Sequence, residues 1–208
     1  MLKRLLIGIA LVSTSAAAFG EEYKPTKKER AAMAMSPEQA ATRLKVSGLD
    51  ALDPTLWVST QPFLPYQVRS DKFLRAAIDK ATGAVTYQLY LSLLGGASMG
   101  LSHITYAVDG KLERADARRI NFDVSCHRYG CTHLEEYVVD MDRATLERLA
   151  HGASTDGAYW TMRMFFRSVE GENTNLLKNE TAALLLAVDR QIAALGLQDR
   201  AAEKSPSL

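Results

Sequence analysis

Between residues 72 and 168, apolar and polar residues alternate with a period of two in one segment after another. This period places successive side chains on opposite faces of an extended chain, so it is typical of β-strands with one dry and one wet face. The dry face of such a strand must be covered, because apolar surface is unstable in water. The alternation therefore predicts a β-sheet with a second layer packed on it.

Six segments carry this alternation. The clearest is 119–125, where Ile120, Phe122 and Val124 share the apolar face and polar residues occupy the other. We expect that strand to have one wet face and to bury the other. The remaining segments are 85–93, 103–108 and 160–166, with weaker patterns at 73–79 and 132–140.

The connections between these segments are short. Residues 79–83 form a short turn sequence that ends in glycine, and Asp109-Gly110 is a strong signal for a two-residue hairpin. Because short connections join antiparallel neighbours, we expect five strands between residues 73 and 140 to form a meander. The glycine-rich residues 95–100 are then a flexible hairpin loop.

Helix signals lie on either side of the strands. The run 36–39 combines a capping serine, a proline at the first helical position and a glutamine, which predicts a helix from 37 to about 45. Asp142 is a candidate cap for a helix over 143–150. Between residues 48 and 70 the prolines favour irregular chain, with Trp57 and Phe63 packed onto the core.

The last helix is predicted over 178–195 and is amphipathic. Glu180 and Asp189 lie off its apolar stripe, which consists of Thr181, Leu184, Leu185, Val188, Ile192 and Leu195. The fold class is thus α+β, an antiparallel meander sheet of about six strands with the C-terminal amphipathic helix on one face. We expect one domain over 36–200, a flexible leader at 21–35 and a flexible tail at 201–208.

The first 20 residues resemble a cleavable secretory signal. Lys3 and Arg4 precede an apolar run that continues into small residues, and no acidic residue appears before Glu21. Without Lys3 and Arg4, 23 basic residues face 24 acidic ones, a formal charge of −1. So balanced a charge carries no general attraction for nucleic acid or for an anionic membrane. We expect a periplasmic or secreted protein with no membrane span after signal cleavage.

The chemically distinctive segment is 126–133. It contains both cysteines of the chain, Cys126 and Cys131, and the four candidate binding residues His127, Arg128, Tyr129 and His133. In an oxidising compartment a disulfide that closes this hairpin is the favoured interpretation.

Two sharper interpretations of the segment remain open. Two Cys and two His could ligate zinc or copper, although structural zinc sites draw ligand pairs from separated turns. The second interpretation is that the two cysteines are a redox-active pair, although the four residues between them differ from the two-residue spacing of thioredoxin-type motifs. No catalytic residue and no cofactor is assigned.

The hairpin 73–90, with its Asp-Lys-Ala-Thr-Gly turn, and the helix around 181–188 resemble uncharacterised exported proteins of Gram-negative bacteria. The resemblance implies a periplasmic location and no activity. The sequence favours a non-catalytic binding or structural protein whose unknown partner is a protein or small molecule. The alternative is a periplasmic enzyme, a hydrolase or a thiol- or metal-dependent catalyst, that uses the hairpin 126–133.

Overall fold

The structure, a computed structural model, describes residues 27–60, 70–152, 157–168 and 170–197. The expected signal, the expected tail and Phe63 lie outside these residues. The elements follow in chain order: α1 (Lys27–Met33), α2 (Pro37–Ala41), β1 (Lys45–Ser47), β2 (Thr55–Ser59), β3 (Ser70–Asp79), β4 (Val85–Gly95), β5 (Leu101–Val108), β6 (Lys111–Asp116), β7 (Arg118–His127), β8 (Gly130–Met141), α3 (Arg143–His151), β9 (Tyr159–Phe166), β10 (Glu172–Leu177) and α4 (Lys178–Ala194).

Two antiparallel sheets and a helical layer build the fold. The first sheet has the order β1-β2-β3-β4-β8-β7, and the second has the order β10-β9-β5-β6. Helix α4 packs against β2 and β3 and is flanked by α2 and α3. The predicted class is therefore confirmed: the protein is α+β, with a six-stranded antiparallel sheet and a C-terminal helix packed on it.

The two faces of the first sheet differ. Its inner face supplies alternate residues of β2, β3, β4 and β8 to a core that the second sheet and α4 share, including Leu74, Leu89 and Val139, each 0% exposed. The outer face carries the residues between them, and none of its described residues belongs to that core. The inner face thus belongs to the shared core, whereas the outer face does not, although Phe73 and Val138 on the outer face are also buried.

The strand order departs from a continuous meander. Strands β3 and β4 form the predicted hairpin, but β4 then pairs with β8, while β5 pairs with β6 and β9 in the second sheet. Residues 96–100, within the stretch expected to be a hairpin loop, are the crossing between the sheets. The physical reason is burial: moving β5 onto the inner face covers apolar surface that a single sheet would leave wet.

The local turn and cap predictions are confirmed. Asp109 and Gly110 both have positive φ, 51° and 74°, in the turn between β5 and β6. The Gln39 N–H donates to Ser36 Oγ (3.3 Å), and the Thr145 N–H donates to Asp142 Oδ1 (2.8 Å). Helix α2 ends earlier than expected, at Ala41, because the chain turns there into β1, which pairs with β2.

Two expected irregular segments contain regular structure. Residues 27–33 of the expected leader form α1, where Ala32 packs with Leu177 and Ala183. The segment 48–70 contains β2, and Trp57 lies on the outer face of the sheet, not in the core. Neither short element has enough alternation to reveal itself in the sequence, and tertiary pairing forms them.

Strand β7 and helix α4 each show a burial that differs from the expected one. Ile120, Phe122 and Val124 are 41%, 44% and 39% exposed, because β7 is an edge strand with a register shift at Ile120. On α4, Glu180 is only 2% exposed, because neighbouring elements enclose both sides of the first turn.

None of the helices in the described part of the chain has the length and apolar content that a bilayer crossing requires.

Candidate functional site

The β7–β8 hairpin brings the predicted site residues to one end of the first sheet. A disulfide joins Cys126 to Cys131, as predicted. Around it, His127, Arg128 and Tyr129 are exposed, and the Arg128 guanidinium lies 4.4 Å from the Tyr129 ring centroid. The tip is therefore closed covalently and presents its side chains to solvent.

The histidines of the hairpin are separated. The His127 ring nitrogen Nε2 lies 3.3 Å from Ser125 Oγ, whereas His133 tilts against the Phe122 ring with centroids 5.9 Å apart. His133 Nδ1 is buried and has no hydrogen-bond partner in the part of the chain that the structure describes. Within the described ranges, no three His, Cys, Asp or Glu side chains converge as a metal-binding group. The hairpin geometry therefore does not assemble the ligand set that the metal interpretation needs.

Reduction of the disulfide is expected to lower the free energy of unfolding by about 2 kcal/mol or less. The closed loop is short, so its loss frees little extra entropy in the unfolded chain. Denaturant unfolding of the native protein with and without reductant measures the change, and the double variant Cys126→Ser/Cys131→Ser is the control that reductant should not affect. A much larger loss would mean that the closed tip also holds the two sheets together.

A second candidate site lies on the outer face of the first sheet. Pairing of β2, β3 and β4 places Trp57, Arg75, Tyr90 and Phe73 on this face. The Arg75 guanidinium carbon lies 4.9 Å from the Trp57 ring centroid and 5.1 Å from that of Tyr90. Tyr90 in turn stacks on Phe73, with centroids 4.5 Å apart. We call these four side chains the arginine ladder.

Hydrogen bonds to neighbouring side chains on the same face orient the arginine ladder. Arg75 Nε donates to Gln88 Oε1 (3.0 Å), and Gln88 Nε2 donates to Asp140 Oδ1 (2.9 Å). Burial raises the pKa of the Tyr90 hydroxyl above its ordinary value, and a hydrogen bond with Glu136 raises it further. Tyr90 therefore remains a neutral donor, and the acceptor Glu136 is directed at it.

The two Nη atoms of Arg75 are left without partners among the described residues. Arg75 forms no ion pair with them, and the one side-chain hydrogen bond that it makes with them uses Nε. Burial lowers the pKa of the guanidinium, and the like charge of Arg118 lowers it further, whereas Tyr90 and Glu136 act in the opposite direction. A partly buried cation whose fork of donors is unused is a ready site for an anion.

Two buried carboxylates lie elsewhere in the fold. Glu135, on the inner face, accepts from the N–H groups of Met99 (2.8 Å) and Gly100 (3.2 Å). Burial raises its pKa, but hydrogen bonds from Ser98, Tyr137 and these two N–H groups lower it more, so the net shift is downward. Glu135 therefore anchors the chain where it crosses between the two sheets.

Glu180 has fewer partners. Its Oε1 accepts from the Thr60 hydroxyl, its Oε2 has no hydrogen-bond partner among the described residues, and burial raises its pKa to about 7. Lys72, whose amine donates to Thr174 Oγ1, acts on it through charge. Burial also lowers the pKa of Lys72. Glu180 is buried, whereas Lys72 is half-buried.

Sequence reasoning found the hairpin and missed the ladder. The cysteines and histidines were conspicuous because they cluster within eight residues. The ladder is assembled from β2, β3 and β4, and Trp57 belongs to a strand that the alternation does not reveal. The sequence signal that could have indicated part of the ladder was the 79–83 turn. This turn sets the register of the β3–β4 hairpin, which places Arg75 opposite Gln88 on the face that also carries Tyr90.

Comparison with known proteins adds no relative to this picture. No protein-family model, no curated protein and no solved structure matches the chain. The resemblance to exported proteins of Gram-negative bacteria therefore stays a prediction, and the function must be argued from the chain's own residues.

Proposed function

We propose that this is an exported, non-catalytic binding protein that uses the outer face of its first sheet to hold a small organic anion. The observation that carries the proposal is Arg75, which is held between the rings of Trp57 and Tyr90 with both Nη atoms unpaired among the described residues. The disulfide is consistent with an oxidising compartment and supports export.

The chemistry of the ladder favours a carboxylate attached to a flat apolar group. A guanidinium presents its donors in a planar fork that matches a carboxylate, and stacking on two rings holds that fork in one orientation. The neighbouring rings of Trp57 and Tyr90, both half-buried, offer an apolar surface for the remainder of such a ligand. Glu136 and Asp140 hydrogen-bond with Tyr90 and Gln88, so neither carboxylate uses the Nη donors of Arg75.

The enzyme alternative gains no comparable support. Both sulfur atoms are bonded to each other, and His127 and His133 face different neighbours. A hydrolase or thiol-dependent mechanism on the hairpin would need these groups to meet at one reacting atom. The hairpin 126–133 does not provide that geometry.

Benzoate is expected to bind to the native protein and to change its tryptophan fluorescence. Trp160, the other tryptophan, is 3% exposed in the core, so a change on titration reports Trp57. The variant Arg75→Gln is expected to lower the affinity at least about tenfold, because a charge-assisted hydrogen-bond pair is lost. Arg75→Lys should also weaken binding, since lysine retains the charge but not the planar fork.

The matched control is Arg163→Gln, because Arg163 also stacks on an aromatic ring, that of Phe165 at 5.4 Å, but in the second sheet. Acetate tests the charge without the ring, and benzyl alcohol tests the ring without the charge. Equal effects of the two arginine variants, or no binding of benzoate to native protein, would contradict the proposed function.

A further inference from the structure

The β7–β8 hairpin concentrates exposed apolar surface. We define the hairpin arm as residues 118–133. Four of the eight large apolar side chains that are exposed in the described part of the chain belong to it: Ile120, Phe122, Val124 and, at 83% exposure, Tyr129. Scattered exposed apolar residues need no explanation, but this arm has half of them in sixteen residues.

The arm is also basic. It contains Arg118, Arg119 and Arg128 and one acidic residue, Asp123, so its formal charge is +2 with neutral histidines, against +1 for the whole chain. Because the total charge of the chain is close to zero, the total does not indicate this local excess of positive charge. The arginines accompany the rings: Arg119 lies 4.9 Å from the Phe122 centroid, and Arg128 lies 4.4 Å from that of Tyr129.

The open edge of β7 is blocked against strand addition. The Phe122 N–H donates to Asn121 Oδ1, and the Val124 N–H donates to Asp123 Oδ1, both at 2.9 Å. A partner that added a strand to this edge would have to displace both side-chain acceptors. The arm is therefore better suited to contact through its side chains than through its backbone.

We propose that the hairpin arm docks the protein on the surface of an anionic lipid bilayer. Lipid phosphates would pair with the arginines, while the apolar side chains enter the boundary between headgroups and acyl chains. Arginine stacked on an aromatic ring suits this boundary, because the ring can be buried while the guanidinium stays at headgroup level. The disulfide keeps the tip closed, so little ordering entropy is lost on docking. This inference is independent of the anion site.

Co-sedimentation of the full chain with vesicles tests the inference. Binding is expected to vesicles of phosphatidylcholine mixed with phosphatidylglycerol and to be much weaker with phosphatidylcholine alone. Arg119→Gln and Arg128→Gln are each expected to weaken binding about fivefold. Phe122→Ser is expected to weaken it about tenfold.

Matched controls come from β6, in the other sheet. The control for the apolar variant is Leu112→Ser, because Leu112 is 77% exposed. The control for the arginine variants is Arg114→Gln, because the Arg114 side chain is 62% exposed. Both should bind vesicles as the native protein does. If Phe122→Ser unfolds, as far-ultraviolet circular dichroism would reveal, the two arginine variants still decide the question.

Four outcomes would overturn the inference. The first three are absence of binding to the anionic vesicles, equal binding to both vesicle types, and equal effects of the arm and control variants. The fourth is a concentration-dependent dimer in sedimentation without lipid that the arm variants abolish, since the arm would then be a protein interface. None of these variants alters Arg75, so failure here leaves the benzoate result intact.

Discussion

Replacement of Glu135 by alanine is expected to lower the free energy of unfolding by about 3 kcal/mol. The Glu135 carboxylate, 1% exposed, is the acceptor for the N–H groups of Met99 and Gly100 and for the Tyr137 hydroxyl. Alanine leaves these donors without an acceptor at the crossing between the two sheets. Each buried donor that loses its partner costs about 1–3 kcal/mol, less whatever water can restore.

Denaturant unfolding near neutral pH measures this loss. The matched control is Glu136→Ala at the next position, on the outer face, where the change removes one hydrogen bond with Tyr90 and should cost less than about 1 kcal/mol. Hydrogen exchange should accelerate at Met99 and Gly100 only in the Glu135 variant. Equal losses for the two variants would show that the crossing is held by packing and not by this carboxylate.

Stability is expected to fall as pH rises from about 4.5 to about 7 because of Glu180. Its pKa is raised to about 7 in the folded protein from an ordinary value of 4.5, chiefly by burial. Between these values the folded state holds a proton that the unfolded state has lost, so the free energy of unfolding decreases with pH. The stabilisation is complete below pH 4.5 and is lost as pH passes through 7, a total of about 3 kcal/mol.

The variant Glu180→Gln isolates this contribution, because other titrating groups cancel in the difference from the native protein. Glutamine retains an oxygen for the Thr60 hydroxyl and carries no charge. The stability of the variant relative to the native protein should therefore rise over this pH range. Glu170→Gln, at an exposed position, is the control and should parallel the native curve. A flat difference for Glu180→Gln would mean that Lys72 and the surroundings keep Glu180 ionised throughout.

The local predictions succeeded where a few adjacent residues decide the outcome. Alternation located β3, β4, β5, β7, β8 and β9, because side chains two residues apart share a face. The caps at Ser36 and Asp142 and the Asp109-Gly110 turn depend on hydrogen bonds and φ angles within three residues. The disulfide followed in the same way from two cysteines at the ends of one tight hairpin.

The candidate sites were only partly predictable. The tip residues of the hairpin were identified, but the exposure of Ile120, Phe122 and Val124 was not, because the same alternation fits a covered strand and an edge strand. The arginine ladder joins three strands, one of which is too short to show a pattern. Its ring contacts follow from register between strands, which no local pattern specifies.

Residue order alone thus settled the elements, their turns and caps, and the antiparallel character of the main sheet, since each depends on neighbours along the chain. The folded molecule decided that β4 pairs with β8 across an interval of 52 residues at Gln88 and Asp140, that β5 moves to a second sheet, and that Glu180 is enclosed. Those choices depend on which apolar faces can cover one another. Long-range packing, and not periodicity, therefore determined which face of the first sheet joins the shared core and which groups lie on the other face.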